Sequence, residues 1–474
     1  MRTLSIDLLT CLIVVSAGIC FSHIRAQDRS GKPNIIIILA DDLGWGDVGF
    51  HGSEIMTPNL DQLAEEGVVL SHFYTAPVCS PTRAGLMTGK YPNRFGLRQT
   101  VIPPWSEFGV DPDEKFLPQY LEQSGYVNRA VLGKWHLGHA KKEYLPLSRG
   151  FTRFYGHYNG AIDYFTHKRE GELDWHNDWD TSFDKGYSTD LISDEAVKCI
   201  RDYTGSPFLM YVAYNAPHGP LQAKKEDMLL YGYDENQPKI GRNKGEGSQG
   251  KGNTARQTYA AMVTCMDRGI GRIMKALKEQ GIEENTLVLF FSDNGAAPGE
   301  GGSSGKLRGT KFQEWDGGVR SPAIVKWPAG FEGGRTVDQV TGYIDVLPTL
   351  LEVCRHEEGG TGLDGINILP VLKGQKSTVE RDFYLGYGSL VNNSWKLVRA
   401  NAGNARMKHK EDALFRIMQD PYEQHSVKEK QPQVYENLLR IVKEYDAIKP
   451  GKSVPPYGQG RKGFKAPENW KVTR

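Results

Sequence analysis

Asn34-Ile35-Ile36-Ile37-Ile38-Leu39-Ala40-Asp41-Asp42 is an uncharged, isoleucine-rich run that ends in two carboxylates. It is continuous rather than alternating, so it suits a strand covered on both faces, and its β-branched residues favour extended backbone. Two more runs have the same form. Pro207 to Asn215 stops before Pro217 and His218, and Thr286 to Ser292 stops at Asp293 and Asn294. Helical periodicity occupies Pro58 to Glu66, Phe116 to Ser124 and Tyr259 to Gln280. Strands alternating with helices predict an α/β fold. Ligands in such sheets gather beyond the carboxyl ends of strands, where all three polar clusters fall.

The whole chain fits this reading. Its 474 residues, 39% apolar and 24% charged, suffice for a large soluble core. Fifty-eight basic residues against 57 acidic ones leave a formal charge of +1, so bulk charge points to neither nucleic acid nor an anionic membrane as partner, and any basic site is local. Arg2 followed by the apolar stretch Leu8 to Phe21 predicts a signal peptide over 1–26, hence a secreted or periplasmic protein. The stretch is too short and too interrupted for stable membrane insertion. Cys20, after Ala17-Gly18-Ile19, offers lipoprotein anchoring as an alternative with a poorer match. Removing the leader leaves Cys79, Cys199, Cys265 and Cys354, too few for a disulfide scaffold.

Residues 27–376 are read as the catalytic domain, with a polar surface loop between Tyr231 and Arg256. Residues 377–474 are read as a smaller subdomain. Its strand-like pieces Phe383–Tyr387, Ser394–Arg399 and Ala413–Ile417 predict an antiparallel sheet, followed by a helix near Gln433 to Ile448 and a tail lying extended on the surface.

Asp41, Asp42, Asp293 and Asn294 offer hard oxygen donors at two strand ends, a set that selects calcium or magnesium over zinc. Each pair alone also fits helix or turn capping. Cys79-Ser80-Pro81-Thr82-Arg83 lies between them, and Gly133-Lys134-Trp135-His136-Leu137-Gly138, Ala216-Pro217-His218, Ser292-Asp293-Asn294-Gly295 and Leu307-Arg308-Gly309-Thr310-Lys311 follow in order. The pentapeptide resembles the C-x-P-x-R signature of type I sulfatases, and each later motif is similar to its counterpart in that family.

The resemblance implies an alkaline-phosphatase-like fold, a large mixed sheet between helices with a smaller C-terminal antiparallel sheet. It also implies sulfate-ester hydrolysis, one calcium ion per chain, and a partner enzyme that oxidises Cys79 to formylglycine. Calcium would be held by Asp41, Asp42, Asp293, Asn294 and an oxygen of the modified residue 79. Arg83, Lys134 and Lys311 would supply cations, His218 a proton for the departing sugar oxygen, and His136 a base for the second proton of the hydrated aldehyde. Asp293 is a further proton acceptor in this scheme.

The segment Gly150 to His167 looks closest to arylsulfatase B and bacterial polysaccharide sulfatases, which implies a sulfated carbohydrate substrate. Ala161 and Ile162 stand where some relatives carry a sulfate-contacting Ser, while Asp163 and His167 are candidates for sugar hydroxyls. Trp175, Trp179, Tyr155, Tyr158 and Tyr164 are candidates for a stacking face, or for ordinary packing. Thr82 replaces a commoner Ser. The alternatives are a phosphonate monoester hydrolase or phosphodiesterase of the same superfamily and, in a different class, a non-catalytic glycan-binding protein.

Overall fold

The isoleucine run forms the middle of a ten-stranded sheet. The computed structural model describes residues 31–98, 100–241, 249–356 and 360–472; the leader expected over 1–26 lies outside them. In chain order the strands are β1 (Asn34–Ala40), β2 (Val68–Leu70), β3 (Asn128–Lys134), β4 (Arg153–His157), β5 (His176–Asn177), β6 (Asp180–Thr181), β7 (Phe208–Ala213), β8 (Thr286–Ser292), β9 (Ala323–Lys326) and β10 (Arg335–Val337). Their spatial order is β10-β2-β9-β8-β1-β7-β3-β4-β5-β6. The centre, β8-β1-β7-β3-β4, is parallel, whereas β9 pairs antiparallel to β8 and to β2, so the sheet is mixed.

Side chains of a strand alternate between faces. Accordingly Ile35, Ile37 and Leu39 enter one core while Ile36, Ile38 and Ala40 enter the other. Helices cover both sides: α1 (Pro58–Glu66), α2 (Cys79–Thr88), α3 (Leu117–Gln123), α4 (Ser188–Asp202), α5 (Ala255–Glu279), α6 (Val346–Val353) and α7 (Pro432–Asp446). Helices α1, α4 and α5 bury residues in the core of Ile36 and Ile38; α2, α3, α6 and α7 do so in that of Ile35 and Ile37. Cys199 and Cys265 are buried in α4 and α5. Helix α5 starts at the end of the polar loop, where the Thr254 hydroxyl accepts from Gln257 N.

The C-terminal sheet is antiparallel: β11 (Asp382–Tyr384), β12 (Leu390–Asn392), β13 (Lys396–Val398) and β14 (Ala413–Phe415). Strand β12 was not expected, because its three residues sit between turn-forming Gly and Asn. Lys396 of β13 reaches out of this sheet to Asp316 Oδ1 (2.5 Å) and Glu423 Oε1 (2.8 Å), with all three side chains fully buried. Burying ions costs several kcal/mol each unless they are paired, so this cluster fixes where the C-terminal sheet sits. The tail is mostly exposed, as expected, but its end docks. Trp470 is buried, donates its indole N–H to Arg169 O (3.0 Å) and packs edge-on against His139.

Two buried histidines, His72 and, at the end of β4, His157, make stability depend on pH. Burial lowers His72 to about 4 and His157 to about 3, from an ordinary 6.5. The unfolded chain therefore binds more protons below pH 6.5, and stability falls as pH drops from 6.5 toward 4. Each histidine contributes about 3 kcal/mol to that loss. Urea unfolding followed across this window should show the midpoint falling on acidification, with a shallower slope in His72→Gln; a flat profile would contradict the assignment.

Candidate active site

The parallel register sets the site. Ala40 lies opposite Ser292, Leu39 opposite Ala213, Ala213 opposite Gly133 and Lys134 opposite His157. The residues that follow β1, β8, β7 and β3 therefore emerge side by side. Asp293 N donates to Ala40 O and Asp41 N to Ala216 O, both at 3.0 Å, which extends the pairing by one step before the chains diverge. Asp42 turns out of the strand at φ 66°, a left-handed value uncommon for a residue with a side chain. Its backbone N–H donates to Asp293 Oδ1 (3.2 Å), and Asn294 Nδ2 donates to its Oδ1 (2.7 Å).

Helix α2 carries Cys79 on its first residue. Pro81 is tolerated in the first turn because that N–H has no partner within the helix. All ten residues of α2 are buried, and its polar side chains find partners. Ser80 donates to His136 O (3.0 Å), and Thr82 Oγ1, the residue that replaces a commoner Ser, accepts from Ala76 N (2.9 Å). Arg83 lies one turn beyond Cys79 and so on the same face. Its Nε and Nη2 donate to Asp293 Oδ2 (3.0 and 2.8 Å), and Nη1 donates to Lys134 O (3.1 Å).

The other expected residues converge here. Lys134 Nζ is 2.5 Å from Asp41 Oδ2, Lys311 Nζ 2.6 Å from Asp42 Oδ1, and His218 Nε2 3.7 Å from Asp42 Oδ2. Burial pushes the Asp41 carboxyl up, but Lys134, His218, Arg83 and Lys311 together hold it below its usual range. Burial and the neighbouring Asp41 raise Asp293 despite Arg83. Burial also pushes the Cys79 thiol up to about 12, against the pull of Lys134 and Lys311, so as a thiol it is a poor nucleophile at neutral pH.

Ligand atoms of Asp41, Asp42, Cys79 and His218 lie within 4.8 Å of one another. Asp41 Oδ1 and Asn294 Oδ1 are buried and accept no hydrogen bond. A buried oxygen without a donor is costly, and two of them on residues that border Asp42, one its chain neighbour and the other bonded to it through Nδ2, fit a hard divalent cation. Asp293, also expected as a ligand, adjoins this group with its oxygens turned to Arg83 and Asp42 N.

His136 stands at φ 59° and is buried. Its Nε2 lies 3.0 Å from Ile102 O, and a carbonyl can only accept, so the proton sits on Nε2. That leaves Nδ1 as a buried lone pair without a partner. Burial, Lys134 and Arg83 keep the ring neutral, well below its ordinary pKa. Gly160 backs the ring: a Cβ there would lie 2.4 Å from its Cε1. Asp174 fixes that turn by accepting from Tyr158 N and Asn159 N, each at 2.9 Å. Neither Gly160 nor Asp174 was anticipated; nothing in Asn159-Gly160-Ala161 marks a glycine whose role is to leave space.

A cavity of about 900 Å³ opens above Cys79, His136, His218 and Lys311. Of the candidate sugar contacts, His167 needs correction, and the aromatic residues resolve mostly to the packing alternative. The His167 side chain is buried, with Nε2 bonded to Gly186 O and the ring stacked on Trp175 at 4.5 Å, so it is not offered to a sugar. Trp175, Tyr155, Tyr158 and Tyr164 are core residues rather than a stacking face, while Trp179 is exposed under Lys142. Asp163 does line the cavity, but its Oδ1 accepts from Phe165 N and Thr166 N and its Oδ2 from Gln222.

The mixed sheet and the cation-lined, oxygen-rich pocket at its carboxyl edge define an alkaline-phosphatase-like ester hydrolase. The Sulfatase family profile matches residues 33–355. Arylsulfatase J of Mus musculus is 32% identical over 90% of this chain and 78% of its own length. N-acetylgalactosamine-6-sulfatase of the same species is 33% identical over 79% and 72%. The crystal structure of Ps i-CgsB in complex with k-i-k-neocarrahexaose superposes with a TM-score of 0.77 at 31% identity, covering 91% of this chain and 97% of that one. The chain belongs to the sulfatase family and is a sulfuric ester hydrolase.

Gly160→Ala should push the His136 ring out of place. Because misplacing a reacting group by about 1 Å can cost 10²-fold, kcat on an aryl sulfate should fall about ten- to a hundredfold while the urea midpoint barely moves. An unchanged kcat would show that the ring position is not critical.

Proposed function

We propose that the protein hydrolyses sulfate esters on a sulfated carbohydrate, a polysaccharide or glycosaminoglycan fragment, outside the cytoplasm to which the leader gives access. In this reading a maturation enzyme converts Cys79 to formylglycine, and one calcium ion is held by Asp41, Asp42, Asp293, Asn294 and residue 79. The observation that carries it is the pair of buried, donorless oxygens on Asp41 and Asn294, beside Cys79 at the start of a buried helix. The names of the relatives, one acting on N-acetylgalactosamine 6-sulfate and one crystallised with neocarrahexaose, support a carbohydrate substrate. Among the described residues no helix is long and apolar enough to cross a membrane.

Bound calcium would draw charge from the sulfate oxygens and make the attacking hydroxyl more acidic. The remaining work falls to the chain's own side chains. Lys134 and Lys311 set positive charge beside the negative sulfate from buried side chains, where such contacts are stronger than in bulk water. Arg83 locks Asp293 in place through two donors and steadies the nucleophile's end of α2. His218 donates Nδ1–H to Gly219 O (2.6 Å), so Nε2 is the atom that gives a proton to the departing sugar oxygen. His136, with its proton fixed on Nε2, takes the second proton at Nδ1.

Peptide mass spectrometry over Thr75 to Arg83 of active protein should find the aldehyde at position 79, and Cys79→Ala should abolish sulfate release without loss of fold. A plain thiol in protein that still releases sulfate would overturn the nucleophile; an aldehyde with phosphonate or phosphodiester turnover and no sulfate release would overturn the reaction.

Dialysis against a chelator should remove activity and lower Tm, and calcium should restore both, since a ligand bound only by the folded state stabilises it by mass action. Activity and Tm indifferent to chelation would remove the metal from the reading.

A further inference from the structure

The cavity extends well beyond the residues that act on sulfate, and its outer wall carries charge of its own. Lys168, Arg169 and Arg406 line it, as do the acidic residues Asp163, Glu170 and Glu300. The acids are engaged: Asp163 by two backbone N–H groups and Gln222, Glu170 by Arg169 at 3.5 Å, and Glu300 Oε2 by Gly219 N at 2.9 Å. Lys311 is held by Asp42. Lys168 and Arg406 are exposed, and among the described residues neither side chain has a carboxylate partner.

Arg406 is also held in place. It lies in the loop between β13 and β14, and its guanidinium stacks on the Phe312 ring at 3.7 Å. Phe312 follows Lys311 directly and stands at φ 73°, a left-handed value unfavourable for a bulky residue. It persists because both ends of the turn are tied. Phe312 N donates to Pro77 O (2.9 Å), and Asn404 Nδ2 donates to Phe312 O (2.8 Å). Gln313 Nε2 donates to Arg406 O (2.8 Å). A loop of the C-terminal subdomain is thus fastened to the turn that carries Lys311, and it presents a fork of N–H donors to the cavity. Lys168 comes from a short hairpin, Lys168–Arg169 paired with Glu172–Leu173, which the tail braces: Trp470 bonds Arg169 O and Asn469 N bonds Glu172.

Stacking restricts the arginine's side chain, so less freedom is lost when an oxyanion binds, and the planar fork matches sulfate or carboxylate. We propose that Lys168 and Arg406 form a second anion site in the substrate cavity, so that the preferred substrate is a glycan bearing another sulfate or a uronate carboxylate near the ester to be cleaved. This rests on the proposed function for what fills the cavity floor, and it gives the C-terminal subdomain a share in choosing substrate.

Calorimetric titration of the full-length Cys79→Ser protein, which binds without turnover, with N-acetylgalactosamine 6-sulfate, its 4,6-disulfate, and the 6-sulfate linked to glucuronate would test this. One of the two doubly charged sugars should bind about tenfold more tightly than the monosulfate, the worth of one charged hydrogen-bonded contact, and which one gains identifies the anion. Arg406→Gln and Lys168→Gln should each erase most of the gain, and Arg406→Lys should keep part of it. Equal affinity for all three sugars, no binding of any, or a gain that survives both substitutions would overturn the second site. Sulfate release from 4-nitrophenyl sulfate by the wild-type enzyme separates the two readings: its absence alongside an intact affinity gain would sink the hydrolysis and leave the anion site standing.

Discussion

Three buried carboxylates share one corner of this protein, and much else follows from keeping them there. Asp41, Asp42 and Asp293 are each almost wholly buried at adjacent strand ends. Unpaired, such charges would be expelled or neutralised by protonation. Arg83, Lys134 and Lys311 supply the opposing charge, and each arrives on a different element: a buried helix, a neighbouring strand and a distant turn. The sheet register, the placement of α2 and the turn at Lys311 must therefore agree to within a hydrogen-bond length. Removing any one cation strands a carboxylate where water cannot reach it.

The same arrangement explains why the site is polar yet not self-satisfied. Arg83 and Asp293 meet all the geometric needs of a structural ion pair, but Asp41 Oδ1 and Asn294 Oδ1 are left without donors, as is His136 Nδ1. A core selected for stability alone would not carry three unmet polar atoms in one neighbourhood, since each costs about 1–3 kcal/mol. Cys79 and His136 line the cavity, and Asp41 groups with Asp42, Cys79 and His218, which marks a reaction centre rather than a buried salt-bridge network. The Asp316–Lys396–Glu423 cluster differs in that its charges pair with one another and lie away from the cavity, where they anchor a sheet.

What could be read from the chain was what repeats or ends abruptly. The uncharged runs at β1, β7 and β8 announced covered parallel strands, and the polar residues just after them fell together because parallel strands in register end together. The α/β class, the antiparallel C-terminal sheet and the convergence of Asp41, Asp42, Cys79, Arg83, Lys134, His136, His218, Asp293, Asn294 and Lys311 all came from that logic and from the resemblance of ordered motifs. Missed were features that depend on irregular chain meeting irregular chain. Gly160 matters through a side chain it lacks. Trp470 looked like part of a polar tail, although a lone tryptophan there was itself a signal that the tail docks. His167 misled, and the aromatic segment stayed open between packing and stacking, because composition cannot separate a ring that packs inward from one that faces a ligand.

Backbone strain ties these observations together. Asp42, His136 and Phe312 all have left-handed backbone, and they hold respectively a carboxylate among the cations, a neutral imidazole at the cavity and the ring on which Arg406 stacks. None is glycine, so none adopts that conformation for free. Each is held from outside: Asp42 by Asp293 and Asn294, His136 by Tyr158 O and Ile102 O, Phe312 by Pro77 O and Asn404. The holding groups come from β8, from the loops beside β3 and β4, and from the C-terminal sheet. The large sheet thus provides the rigidity against which the strained turns are set, and the C-terminal subdomain, through Asn404, becomes part of the pocket's framework as well as its outer wall. A chain cut before β13 would lose the constraint on Phe312 and with it the fixed position of the neighbouring Lys311, which is the physical reason for two sheets of such unequal size to be built into one active site.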